Sequence, residues 1–98
     1  MRAYKLFRLR KDGSLGSLFI NKAEILIRGV WLTAKEYPTK GYSTRKGWHT
    51  LAKPDAPHLK QTGRVWLPVE IQKFEPINRP TNQGGLWYIA QRMKILEG

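Results

Sequence analysis

Two histidines, His49 and His58, stand nine positions apart in a stretch crowded with cations. Lys40, Arg45, Lys46, Lys53, Lys60 and Arg64 accompany them. Asp55 is the one acid between residues 40 and 64, and Tyr42 and Trp48 are set among the charges. Metal-independent RNA cleavage needs a base for the 2′-hydroxyl, an acid for the leaving oxygen and cations for the phosphate. Two imidazoles near neutral pKa beside Lys and Arg supply those parts. His49 and His58 are therefore the candidate catalytic pair of a metal-independent nuclease or another nucleotide-directed enzyme. Their spacing does not make the rings converge, and a histidine beside Trp48 serves equally well in packing or stacking.

Other chemistries are weaker. His49, Asp55 and His58 are potential metal ligands, but catalytic zinc wants three protein ligands in a tetrahedral array and six nearby cations repel it. No metal and no other cofactor is expected. The chain has no cysteine, which removes disulfides and thiolate sites. Ser14, Ser17 and Ser43 lie in no nucleophile motif. Gly13-x-x-Gly16 and Gly84-Gly85 are turn glycines, because the strand and helix that flank a phosphate cradle are missing.

Binding uses more of the chain. Arg8, Arg10 and Lys11 can join Lys40, Arg45, Lys46, Lys53, Lys60 and Arg64 in neutralising phosphates, while Tyr42 and Trp48 can stack on unpaired bases. The competing view makes the aromatics core and the cations a solvated face. Strand-like surroundings favour the core for Trp31, Trp66 and Trp87, whereas Trp48 and Tyr42 have charged or glycine neighbours. The net charge of +11, from 18 Lys+Arg and 7 Asp+Glu, suits RNA or single-stranded DNA, or an acidic protein. No run approaches the roughly 20 apolar residues of a membrane span, and the N-terminus has no signal-peptide core. A cytoplasmic setting and no membrane partner are expected.

These residues need a scaffold, and 98 residues suffice for one domain, 1–98, with a single core. Tyr4 to Arg10 is rich in strand formers. Asp12-Gly13 between apolar runs predicts a hairpin with a type I′ turn, returning through Leu15 to Ile20, where Gly16 could mark a bulge. Asn21 to Glu24 resembles a capping box, but Gly29 follows closely and Ile25 to Ile27 are largely β-branched, so at most one helical turn, or a strand, is expected. Val30 to Ala34 reads as a strand, and Trp48 to Leu51 as a short strand inside an otherwise aperiodic connection. Arg64 to Phe74 alternates best, with Val65, Leu67, Val69 and Ile71 on one face. Pro68 in it predicts an edge strand or a bulge. Pro76 to Gly85 reads as a polar loop. Leu86 to Leu96 fits two patterns: as a strand it puts Trp87, Ile89, Met93 and Ile95 on one face with Gln91 the misfit, and as a helix it groups Leu86, Ile89, Ala90 and Met93; Trp-Tyr-Ile and the Gly84-Gly85 turn favour the strand. The fold expected is mainly β: a small antiparallel sheet or partly open barrel with at most one short helix and a long central loop.

The blocks GYSTRKGWHTLAKPDAPHL, GRVWLPVEI and GLWYIAQRMKIL, at residues 41–59, 63–71 and 85–96, resemble small proteins encoded by phages and prophages. Gly47-Trp48-His49 is the most distinctive part. The resemblance implies a setting inside an infected bacterium and transfers no activity to any residue. The function expected is non-catalytic nucleic-acid binding through the central stretch. The alternatives are a phage inhibitor that binds an acidic host protein of defence or nucleic-acid processing, and the His49/His58 enzyme.

Overall fold

The computed structural model describes residues 1–17, 25–34, 47–56, 59 and 62–96. Six strands run through them: β1 (Arg2–Leu9), β2 (Leu15–Gly16), β3 (Trp31–Thr33), β4 (Trp48–Leu51), β5 (Arg64–Asn78) and β6 (Leu86–Ile95). A 3-10 turn, Thr81–Gln83, joins β5 to β6, and no α-helix occurs among the described residues. The expected helix start at Asn21 to Glu24 lies outside them.

Every strand pairing is antiparallel. β1 lies against β5 along its length, β5 against β6, β6 against β4, and β4 returns to β1 at Tyr4 opposite Leu51. The four strands thus form a partial ring within one antiparallel sheet, in keeping with the mainly β fold expected. β2 extends β1, and β3 continues along the β6 edge beyond β4. Closing the ring matters because an open sheet edge leaves N–H and C=O groups unpaired.

Alternation explains which faces meet. Ala3 and Phe7 of β1 stand opposite Val69 and Val65 of β5, and Ile71 and Val69 stand opposite Met93 and Ile95 of β6. These residues form the main cluster with Leu15, Leu26, Leu67 and Ala90; Val65, at its margin, is only partly buried. A smaller cluster lies on the other face of the ring, where Leu51, Ala56 and Trp87 are buried and Leu59 and Trp66 pack on them. The stretch from Lys40 to Arg64 is therefore no simple loop. Its β4 closes the ring, and Leu51, Ala56 and Leu59 cover the outside of the sheet.

Four local expectations change. The hairpin forms, but Gly13 N–H bonds to Arg10 C=O at 2.9 Å and the positive φ falls on Gly13 alone, not on Asp12. Such a three-residue connection places glycine after the turn rather than inside it. Gly16 makes no bulge; it pairs with Arg8. β5 is not an edge strand, since β1 and β6 flank it. Pro68 is tolerated because its carbonyl points to the β6 side, where it accepts from Leu96 N–H at 3.0 Å just past the end of β6. Its missing N–H falls where the ladder stops. β5 also runs on through Pro76 to Asn78, shortening the expected polar loop.

β6 is a strand, but its apolar residues do not share one face. Met93 and Ile95 belong to the main cluster, while Trp87 belongs to the outer one. The reversal occurs where Lys73 of β5 takes φ +51 and drops out of the pairing, between Gln72 opposite Arg92 and Phe74 opposite Ala90. Both strands pass one extra residue there, so the register continues while the faces exchange. Gln91, the misfit of the simple alternation, sits at that crossing.

Candidate nucleic-acid interface

The first cations lie where β1 hands over to its hairpin. Ala3 and Phe7 face the core, so Arg8 projects from the opposite face, and the register sets it directly across from Arg64. Leu9 N–H donates to Gly63 C=O at 2.9 Å, extending the pairing by one step. The sheet thereby joins two regions 56 positions apart in sequence, the Arg8–Lys11 segment and the end of the central stretch. Both arginines are partly buried. Lys11 is exposed at the hairpin tip, and Lys53 is exposed on the bend after β4.

Arg10 has a local task. Its Nη1 donates to the Leu15 carbonyl at 2.9 Å and lies 3.4 Å from Ser14 Oγ. The guanidinium occupies the space that a side chain on Gly16 would fill. In the same turn the Ser14 hydroxyl and backbone N–H both donate to Asp12 Oδ1, at 2.7 and 2.9 Å. The Ser14 hydroxyl, then its N–H, and beyond them the charge of Arg10 hold the Asp12 carboxyl below its ordinary range. Arg10 is a brace of the hairpin that also carries charge.

Trp48 packs rather than presents its ring. Its indole N–H donates to the Leu32 carbonyl at 3.1 Å and its ring lies against the main cluster. Gly47 lets β4 come this close: a side chain there would run into Ile89 and stand 3.1 Å from the Ala90 carbonyl. His49 faces the other way. Its ring meets Trp87 edge-on, 6.5 Å between centroids, and the Arg79 guanidinium lies 5.4 Å from the Trp87 ring. Lys40, Tyr42, Arg45, Lys46, His58 and Lys60 fall outside the described residues, so the pairing of His49 with His58 does too. Among the described residues no three His, Asp or Glu side chains gather as a ligand set.

Trp31, Arg92 and Lys94 were not singled out as ligand-binding from the sequence. Trp31 pairs across to Lys94, and the ring centroid lies 5.0 Å from Arg92 Cζ and 5.1 Å from Lys94 Nζ. The signal was present in part. Arg92 and Lys94 flank Met93, so burying Met93 turns both cations outward. What sequence could not supply was β3 as their neighbour. No protein-family model, curated protein or solved structure matches the chain.

Lys5 is the remaining cation of note. It sits on the core-facing side of β1, and its ammonium donates to the His49 carbonyl at 2.9 Å. Burial pushes its pKa down to about 8. It ties β1 to β4 where only one residue pair closes the ring. That role is structural.

Proposed function

We propose that the protein binds nucleic acid without cleaving it, through a positively charged face centred on the meeting of β1 and β5. The sequence resemblance adds the setting, the cytoplasm of a phage-infected bacterium. The observation that carries the reading is the register of Arg8 opposite Arg64. Two guanidinium groups set opposite each other on one sheet can meet neighbouring phosphate oxygens of a single strand. Lys11 at the hairpin tip adds a third cation to the same end of the sheet, and the net charge of +11 supplies the long-range attraction.

The mechanism is charge neutralisation. Arg presents a planar fork that meets two phosphate oxygens at once, which suits a cross-strand pair better than two lysines would. Phosphate contacts of this kind orient the ligand and carry little sequence preference.

Titration of a labelled RNA or single-stranded DNA oligomer at low salt tests the reading. Replacing Arg8 and Arg64 together by Glu should abolish measurable binding, with the thermal melt reported alongside. No binding by the unchanged protein, or full affinity in a folded double variant, rejects it. Release of a shortened labelled oligomer would instead favour the enzyme. A stoichiometric acidic host polypeptide that displaces the oligomer would favour the inhibitor.

A further inference from the structure

We infer that the outer face of β3, β6 and β5 carries a stacking subsite for an unpaired base, with Trp31 as the platform and Arg92 and Lys94 as its phosphate-binding pair. This rests on the nucleic-acid reading above and narrows the ligand to single-stranded DNA or RNA.

The registers of four strands place Trp31, Lys94, Glu70 and Arg2 in one row across the sheet. The next row outward on the same face holds Thr33, Arg92 and Gln72. Both rows face away from the core, because Leu32, Met93 and Ile71, the residues between them, pack inward. Glu70, the acid of the first row, has the N-terminal ammonium 3.4 Å away. Its charge is countered on the spot, and the surroundings of Trp31 stay positive. Arg92 Nη1 donates to Gln72 Oε1 at 3.0 Å, which helps hold the guanidinium over the ring.

Arg92 and Lys94 sit over the Trp31 ring, about 5 Å from its centre, and the indole stays partly exposed, so one nucleotide can set its phosphate against the two cations and its base on the part of the ring they leave open. The base brings a flat π-face for the ring, and the phosphate attached through its sugar brings charge for Arg92 and Lys94. Among the described residues β3 pairs with β6 alone, so no further strand is laid along its outer edge. In a duplex the base faces are stacked on one another and only their edges reach the grooves. A ring lying on a sheet cannot reach those faces, so the subsite selects unpaired strands.

The test uses the unchanged protein first. Affinity is measured for an intact single-stranded oligomer, for an abasic oligomer of the same length and charge, and for the matching duplex. Stacking of one base on an aromatic ring corresponds to about 5- to 150-fold in affinity, so the abasic oligomer should bind weaker by a factor in that range. Trp31→Ala should lose the same factor for the intact oligomer and nothing for the abasic one, and Trp31→Phe should keep most of it. Equal affinity for intact and abasic oligomers overturns the inference while leaving the broader reading in place, as does a folded Trp31→Ala variant with unchanged affinity. Failure to bind any oligomer at low salt removes both. The abasic comparison requires no variant and decides the matter even if Trp31→Ala does not fold.

Discussion

Residues that look alike in the sequence have different work in the fold. Arg8 and Arg10 are two positions apart, yet one projects beside Arg64 and the other bonds to Leu15 and Ser14 in its own hairpin. Trp48, a candidate stacking ring by its charged and glycine neighbours, packs on the main cluster, while Trp31, assigned to the core, has Arg92 and Lys94 over its ring. Local neighbours misled in both cases. A strand exposes alternate residues whatever their charge, and Trp48 faces inward with Thr50 on β4. Lys5 gives a test at this scale. Its pKa is lowered in the fold from 10.5 to about 8, so between those values the unfolded chain holds the extra proton. Stability contributed by Lys5 must then rise as pH rises through that window. Lys5→Met removes the titration and the bond to His49 together. Denaturant midpoints from pH 7 to pH 10 should show the unchanged protein gaining on Lys5→Met as pH rises; parallel curves would contradict the burial of this ammonium.

At the scale of elements, the sequence was legible wherever alternation was local. The strands around Tyr4, Trp31, Trp48, Val65 and Trp87 all occur, and Val65 to Ile71 turn inward as the period of two requires. The closure of the ring was not legible, because it depends on one pairing, Tyr4 with Leu51, between segments whose local patterns carry no trace of each other. The candidate site was legible in its charges and not in its geometry, since Arg8 with Arg64 and Trp31 with Lys94 are neighbours only through register. The exchange of faces in β6 was hidden for a related reason. Its cause lies on β5, at Lys73, whose φ of +51 is in the left-handed region. That conformation costs an L-residue roughly 1–2 kcal/mol and costs glycine almost nothing. Lys73→Gly should therefore be neutral or stabilise by up to about 1 kcal/mol, after the extra unfolded-chain entropy of glycine is counted. Lys73→Val should destabilise by about 1–2 kcal/mol, because branching at Cβ disfavours positive φ further. Thermal melts of the two variants, which bracket the native residue, check this. A stable Lys73→Val protein would mean that the faces exchange by some other means.

At the scale of the whole molecule, the described residues form a small ring of strands that carries outward cations at Arg8 with Arg64 and at Arg92 with Lys94 by Trp31. Its charge excess alone would attract any polyanion, so what must be separated is contact from background field. Counterion release does this, because each phosphate neutralised on a single strand adds about 0.7 to the slope of log K against log salt. Four contacts predict a slope of roughly −3 between about 50 and 200 mM salt. Replacing Arg8 and Arg64 by Gln should remove about 1.4 from it, and replacing Arg92 and Lys94 by Gln should remove a similar amount if one strand runs over both positions. Arg28 and Lys73 are exposed and belong to neither position, so their replacement by Gln lowers the net charge equally without removing a contact. Fluorescence anisotropy of a labelled single-stranded oligomer gives all four slopes. If the control pair changes the slope as much as the two test pairs do, binding is diffuse and neither position is a site. If only the Arg92 and Lys94 pair matters, the β3–β6 face is the whole interface and the Arg8–Arg64 pair is a structural feature of the barrel end.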